Sequence, residues 1–262
     1  MISETLNLDL SYYNLFILFV LIIAGILSGF VNTIAGGGSV ITLPALMLIG
    51  IPADIANGTN RVGILLQSIA GVREFKKSGA LDTNQIRPIL IPTLLGGAIG
   101  AITASFLEIT LLKPILIITT LIVTLIVVFK PNALPTAGEN NLSIEEKPVS
   151  LIWLLLAGFY GGFIQAGVGI ILVVIFSSVL RYSILNANAL KVSCALAFTI
   201  IALMIFALRG QVNWIPGLIL GVSSIIGVKL SLNFAAKVDQ MTLKWILLLL
   251  SLVICITALL KK

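Results

Sequence analysis

The sequence contains no histidine and little charge of either sign. Its 262 residues include 16 Lys and Arg, 10 Asp and Glu, and no His. Without histidine there can be no Ser-His or Cys-His nucleophile pair, no His-ligated zinc or haem, and no imidazole proton relay. Soluble domains carry about 25% charged residues, whereas this chain carries 10%. The composition therefore excludes a soluble enzyme, a nucleic-acid-binding protein and a disordered chain.

Cysteine is also scarce. Cys194 and Cys255 both lie in apolar runs, so they do not have the spacing of metal ligands, and we do not expect a structural disulfide. Residues 1–11 contain Glu4 and Asp9 but no Lys or Arg, unlike the positively charged start of a secretory signal. We expect no cofactor, no metal, no catalytic residue and no secretory signal.

Apolar residues dominate the chain. They make up 59% of it, and the mean hydropathy is +1.17. These values indicate an all-α, multi-pass protein of the cell (plasma or inner) membrane whose partner is the lipid bilayer. The net charge of +6 does not point to nucleic acid, because the basic residues are scattered at the ends of apolar segments. Arg73, Lys76, Lys77 and Arg87 flank one short polar loop, which we place in the cytoplasm.

The apolar segments differ in length. A membrane-spanning helix needs about 20 apolar residues, and seven full-length runs follow this rule, together with a helix that opens at Asn57. Two shorter runs, Val40–Gly50 and Ile170–Leu180, would not cross the hydrocarbon layer alone. We therefore expect about eight transmembrane helices plus two short broken or re-entrant segments. The predicted helices are 12–35, 57–75, 86–107, 111–129, 151–168, 187–208, 214–235 and 243–260.

The chain reads as two homologous halves. Gly25 and Gly29 align with Gly158 and Gly162, and Arg61 aligns with Lys191. The register drifts slowly along the alignment, as small deletions in loops would cause. We assign residues 1–129 to the first transmembrane repeat, 130–149 to a polar linker outside the membrane, and 150–262 to the second transmembrane repeat.

Each half contains a glycine cluster followed by a short apolar run. Gly36-Gly37-Gly38-Ser39 precedes the first run, and Gly167-x-Gly169 precedes the second. Paired, glycine-interrupted segments of this kind are typical of secondary transporters, whose substrate binds where the broken helices meet. The alternative is that the glycines serve close helix packing. Re-entrant short segments would make the repeats parallel, our preferred arrangement, and crossing segments would make them inverted.

A helix that begins inside the membrane favours an anion, because its first N–H groups and the positive end of its dipole point at the ligand. Glycine lets the backbone approach an oxyanion closely, and neutral side chains add further donors. The predicted substrate-binding residues are Asn32, Thr33, Gly36, Gly37, Gly38, Ser39, Thr59, Asn60, Arg61, Gln165, Gly167, Gly169 and Lys191.

Arg61 and Lys191 are the two charged members of this set. They occupy equivalent positions, and two cations facing one cavity would neutralise a dianion. The alternative is that each side chain extends to the membrane interface, since each lies about one turn into its helix. The apolar spans contain no Asp or Glu, so the sequence shows no proton relay of buried carboxylates.

Several of these stretches resemble the sulfite exporter TauE/SafE family. The resemblance is carried by Gly29-Phe30-Val31-Asn32-Thr33-Ile34-Ala35-Gly36-Gly37-Gly38-Ser39, Leu43-Pro44-Ala45-Leu46, Gly50-Ile51-Pro52 and Gly58-Thr59-Asn60. It covers the whole chain, because that family is itself a duplicated bundle of about eight spans. It implies transport, and export in particular, of sulfite, thiosulfate, sulfonates or similar small organic anions.

Other functions remain open at this point. An anion channel differs from a carrier only in energetics, and a non-transporting membrane assembly protein would not need paired helix breaks. An intramembrane Ser-His protease is excluded by the lack of histidine, and a lipid head-group transferase by the lack of clustered carboxylates in the spans. The sequence leaves open the anion, the direction and coupling ion, the side of the N-terminus and the oligomeric state.

Overall fold

A computed structural model describes residues 2–35, 37–80, 86–129 and 141–234, with side chains at 14–33, 37–80, 86–125 and 141–231. Every regular element in these ranges is a helix. A π-helical turn, Ile175–Val179, directly follows the seventh helix. The helices are α1 (Ile2–Ala35), α2 (Ser39–Leu48), α3 (Ala53–Lys77), α4 (Ile86–Phe106), α5 (Ile109–Phe129), α6 (Val149–Phe163), α7 (Val168–Val174), α8 (Ile184–Leu208) and α9 (Trp214–Phe234).

Most helix positions agree with the sequence prediction. The starts of α4 at Ile86 and of α9 at Trp214 are as predicted, whereas α6 ends at Phe163 and not at Val168. The reason for the early end is local: Gln165 and Gly167 both have left-handed backbone angles, which no α-helix accommodates. The predicted span 243–260 lies outside the described residues.

Four helical segments in the described ranges are long and apolar enough to cross a membrane: Asn14–Thr33, Ile86–Phe106, Ile184–Leu208 and Trp214–Ser231. Large apolar side chains such as Phe19, Ile99 and Ile215 are exposed on them, as expected of surfaces that face lipid. The chain is therefore an all-helical membrane protein. The count of about eight spans and the division into repeats stay predictions.

Helices α1 and α9 run side by side in the same direction. A Cβ built on Gly29 would lie 2.0 Å from the Ser224 carbonyl oxygen, and one built on Gly25 would lie 2.7 Å from the Leu220 carbonyl oxygen. The two backbones therefore touch, with residue numbers rising together. Only glycine permits this approach, which is the small-residue packing typical of membrane helices.

Helices α4 and α6 pack in the same way. A Cβ on Gly96 would lie 2.0 Å from the Leu155 carbonyl oxygen, and one on Gly100 would lie 2.0 Å from the Phe159 carbonyl oxygen. These two helices also run in one direction. Gly96 and Gly100 thus form a small-residue packing face.

Helices α3 and α8 cross the centre of the molecule in opposite directions. Gly71, late in α3, packs on Val192, early in α8, whereas Gly58, early in α3, packs on Phe206, late in α8. Helix α9 runs parallel to α3, since Gly63 lies against Leu220 and, at the preceding turn, Gly58 lies against Gln211. Helix α1, parallel to α9, therefore points the same way as α3.

The short helices α2 and α7 fold back on their neighbours. Residues 49–52 connect α2 to α3, and Thr42 of α2 donates a hydrogen bond of 2.6 Å to Asn60 of α3. Helix α2 therefore runs against α3 and against α1, so that α1 and α2 form a hairpin. Helices α6 and α7 form a second hairpin, with residues 180–183 joining its π-helical end to α8. The two hairpins enter the helix bundle from opposite ends.

We predict that Gly96→Ala lowers the amount and thermal stability of folded protein. The new methyl group would overlap the backbone of α6, and overpacking of this kind costs about 1–3 kcal/mol. The matched control is Gly37→Ala, because a Cβ on Gly37 would meet nothing closer than 3.9 Å. Unfolding of both purified variants in detergent tests this, and equal midpoints would contradict it.

Candidate functional site

The first helix break lies between Ala35 and Ser39. Gly38 packs tightly there: a Cβ would lie 2.6 Å from both the carbonyl oxygen and the hydroxyl oxygen of Ser28. Gly37 has open space around it, and Gly36 lies outside the described residues. Gly38 has a φ of −56°. Close approach, and not a left-handed turn, is therefore what requires glycine at position 38.

The second helix break lies between Phe163 and Val168 and has a different geometry. Gln165 has a φ of 68° and Gly167 a φ of 73°. A left-handed conformation is uncommon for a residue other than glycine, and where it persists the surroundings hold it in place. Gln165 is held by hydrogen bonds of its side chain to Arg61 and to Thr199. The Tyr160 hydroxyl bridges the break by donating to the Ala166 carbonyl oxygen at 2.7 Å.

Arg61 of α3 binds the end of α6. Its guanidinium donates to the Gly161 and Gly162 carbonyl oxygens and to the side chains of Gln165 and Asn57. The last carbonyl groups of a helix have no partner within that helix, and a positive charge is favourable at this end of the dipole. Arg61 thus caps α6 at the buried position where the helix stops.

Lys191 of α8 does the same for α1. Its ammonium donates to the Asn32 carbonyl oxygen at 2.8 Å and to the Asn188 side-chain oxygen at 2.6 Å. Arg61 is 0% exposed and Lys191 is 1% exposed. The alternative in which these side chains extend to the membrane interface is therefore wrong. No carboxylate is among the described hydrogen-bond partners of either cation.

A cavity lies between the two breaks. It has a volume of about 10 Å³, room for roughly one water molecule. Both hairpins and the two central helices contribute to its wall. The residues that line it are Asn32, Ser39, Ile64, Gln165, Val168, Gly169, Lys191, Val192 and Ala195.

The sulfite exporter TauE/SafE family matches residues 21–258 of the chain. This match covers both helix breaks and all of the residues that line the cavity. The chain belongs to the sulfite exporter TauE/SafE family. It is a membrane transporter of this type, in the multi-pass arrangement of a cell-membrane protein.

Three bacterial proteins illustrate the similarity to TauE/SafE relatives. The probable membrane transporter protein ORF9 of Sinorhizobium sp is 27% identical over 248 residues, which cover 95% of this chain and 93% of that protein. A probable membrane transporter protein of Haemophilus influenzae is 28% identical and covers 82% and 83%. The probable membrane transporter protein YfcA of Escherichia coli K12 is 25% identical and covers 95% and 92%. No solved structure matches the chain.

Five of the predicted site residues line the cavity of this TauE/SafE protein: Asn32, Ser39, Gln165, Gly169 and Lys191. Arg61 does not line it directly and reaches it through Gln165. Gly37, Gly38 and Gly167 lie in the breaks beside it. Gly36 lies outside the described residues, and the other three are bound to neighbours: Thr33 donates to the Gly29 carbonyl oxygen, Thr59 accepts from the Asn213 N–H, and Asn60 accepts from Thr42.

Two functional side chains were missed by the sequence reasoning. Asn57 accepts from Arg61 at 3.1 Å, and Asn188 accepts from Lys191 at 2.6 Å. Each asparagine precedes its cation by about one helical turn, so it shares the same face of the helix. This spacing, present in both halves, was the signal that could have found them.

We predict that Arg61→Ala acts first on folding. It would leave the carbonyl oxygens of Gly161 and Gly162 without these donors, and each unsatisfied buried group costs about 1–3 kcal/mol. Lys76→Ala, at an exposed site, is the control and should leave stability unchanged. Size-exclusion profiles and unfolding midpoints in detergent measure the effect, and an Arg61 variant as stable as the control would refute the capping role.

Proposed function

We propose that this protein is a secondary transporter that exports a small sulfur-containing or organic anion such as sulfite, thiosulfate or a sulfonate. The anion binds in the cavity between the two helix breaks. Membership of the TauE/SafE family supports the substrate class, and the geometry of Lys191 supports the place. The ammonium of Lys191 lines the cavity and has three N–H donors, of which described residues use two.

The charge balance of the core supports an anion. A cation buried away from water costs several kcal/mol unless it is paired and hydrogen-bonded. The described partners of Arg61 and Lys191 are neutral oxygen atoms, which solvate a cation without neutralising it. An anion entering the cavity would neutralise Lys191 at short range, and Arg61 would add attraction through the bound Gln165.

The backbone at the breaks supplies the remaining donors. Ser39 is the first residue of α2, and Gly169 is the second residue of α7. Both line the cavity, so two helix starts border it with the positive ends of their dipoles. Asn32, beside the first helix break, and Gln165, in the second, also line the cavity. In this proposal, neutral donors set the shape of the site and Lys191 supplies the charge.

We also propose that the two halves are inverted repeats. The first argument is direction: α3 and α8 occupy equivalent sequence positions and run in opposite directions. The second is packing: Gly29 lies on Ser224 in the α1–α9 pair, and the aligned residues Gly162 and Gly97 meet in the α6–α4 pair. The preference for parallel repeats, which counted four full spans in each half, is replaced by this proposal.

Such an arrangement suits alternating access. The hairpins enter from opposite ends, so the site between their tips can be opened to one side at a time by moving one half against the other. The cavity has room for one water molecule, and an anion such as sulfite is larger than this. The cavity must therefore widen to admit such an anion, as it would when one half moves against the other.

The basic residues orient this transporter in the membrane. More of them lie at the end of the bundle where α3 finishes and α4, α6 and α8 begin than at the opposite end, which has Lys113 and Arg209. This asymmetry places the richer end in the cytoplasm and the start of α1 on the outer side. The basic residues at the cytoplasmic end are Arg73, Lys76, Lys77, Arg87, Lys147 and Arg181.

We predict that Lys191→Met weakens anion binding per folded molecule, beyond the stability that it loses with the cap on α1. Methionine keeps the length of the side chain and removes the charge, and the affinity for sulfite should fall at least tenfold, or about 1.4 kcal/mol. The measurement is sulfite binding to the purified protein, followed by counterflow in proteoliposomes to separate a carrier from a channel. Lys76→Met is the matched control. Unchanged affinity in Lys191→Met would rule out this site.

A second variant tests the backbone at the first break. Gly37→Ala has space for its methyl group, so the fold should persist. If the backbone beside the break approaches the anion, loss of one charge-assisted hydrogen bond costs about 1.5–3 kcal/mol, and uptake per folded molecule should fall roughly tenfold. Normal specific uptake would mean that the backbone at Gly37 does not approach the anion.

A further inference from the structure

A second polar cluster lies beside the first helix break, outside the cavity wall. Ser28 of α1 and Gln67 and Ser68 of α3 are each 1–2% exposed. The hydroxyl oxygens of both serines and the side-chain carbonyl oxygen of Gln67 have no hydrogen-bond partner. Buried polar atoms are nearly always paired, so three unpaired oxygen atoms in one region of a membrane protein indicate a ligand.

The geometry brings the oxygen atoms of Ser28 and Gln67 together. The Gln67 side-chain N–H donates to the Ser28 carbonyl oxygen at 3.2 Å, which fixes the amide next to Ser28. Gly38, at the helix break, packs against the carbonyl and hydroxyl oxygens of the same serine. The cluster therefore adjoins the break, one helical turn before Asn32, whose carbonyl oxygen binds Lys191.

The second half fills the equivalent place with apolar groups. Ser28 aligns with Gly161 and Ser68 aligns with Phe198. The Phe198 ring packs directly on Gly161, where a Cβ would lie 2.8 Å from its tip. The second half thus closes this space with an aromatic ring, whereas both aligned residues of the first half are serines. Packing alone does not require serine at these positions, because apolar groups occupy the equivalent positions in the second half.

We propose that Ser28, Gln67 and Ser68 form a binding site for a monovalent metal cation, Na⁺ in particular. Hard cations take oxygen ligands, and neutral oxygen atoms at helix breaks coordinate Na⁺ in transporters with interrupted helices. The site offers two hydroxyl oxygens and an amide oxygen, with the Ser28 carbonyl oxygen alongside. These ligands carry no negative charge, which suits a single positive charge that is bound and released.

This site and Lys191 would influence each other. The bound cation and the Lys191 ammonium are both positive. They lie about one helical turn apart along α1, so they repel each other. An anion in the cavity would offset this repulsion, and by linkage the cation would then raise the affinity for the anion by the same factor. This coupling rests on the proposed anion site, whereas the cation site itself does not.

The cation site is tested first without any anionic substrate. The purified full-length protein is unfolded by heat in NaCl, KCl or choline chloride at equal ionic strength. We expect NaCl to raise the unfolding midpoint by about 2–6 °C over choline chloride, because a ligand that binds only the folded state stabilises it. Radioactive sodium binding to the same protein gives the stoichiometry.

Variants then locate the site. Ser28→Ala and Gln67→Leu should each reduce the Na⁺-dependent shift to less than half of the wild-type value. Ser177→Ala is the matched control, because this buried serine already donates to the Val173 carbonyl oxygen at 2.7 Å. No difference between NaCl and choline chloride in the wild type would overturn the proposal, as would an unchanged shift in both variants. The wild-type result decides even if a variant fails to fold.

The same experiment separates the two proposals. A Na⁺ shift that survives Lys191→Met, together with loss of sulfite binding, supports both sites. A Na⁺ shift without any sulfite binding in the wild type supports the cation site and refutes the anion site. Sulfite binding without any Na⁺-dependent shift supports the anion site and refutes the cation site.

Discussion

The structure depends on the capping of two helices, α1 and α6, that end inside the helix bundle. A backbone carbonyl group in hydrocarbon needs a partner, because no water is available to it. Arg61 supplies donors to the end of α6, and Lys191 supplies one to the end of α1. Each cation comes from the central helix of the opposite half. The two breaks therefore hold the halves together, and neither half can form its break alone.

This solution leaves positive charge in the core, and the proposed function follows from that charge. The donors that satisfy the carbonyl groups are cationic, and their described partners are neutral. An anion is the ligand that such a core favours most. The two cations nevertheless differ: Arg61 makes four described hydrogen bonds and lies over the Phe206 ring at 5.4 Å, whereas Lys191 makes two and borders the cavity. The forked guanidinium of Arg61 suits a fixed helix cap. The compact ammonium of Lys191 suits a ligand that is bound and released.

The sequence predicts the helices well because length and apolarity decide them in a membrane. It also predicts the breaks, since Gly36-Gly37-Gly38 and Gly167-x-Gly169 are strong local signals. It does not predict the direction of α2, because a run of ten apolar residues fits a re-entrant or a crossing segment equally. It misplaces the second break, because the left-handed backbone of Gln165 depends on Arg61 and Thr199, which lie far away in sequence. Which cation borders the cavity is likewise a property of packing between halves.

In the proposed inverted-repeat transporter, the differences between the halves matter more for transport than their similarity. A symmetric scaffold gives two conformations of comparable energy, which alternating access requires. In a strictly symmetric site, a ligand would make the same contacts in both conformations. Here the first half has Ser28 and Ser68 where the second has Gly161 and Phe198, and Arg61 stands opposite Lys191. A ligand bound at the first break therefore interacts differently with the two conformations, and only such a difference lets binding shift the equilibrium between them.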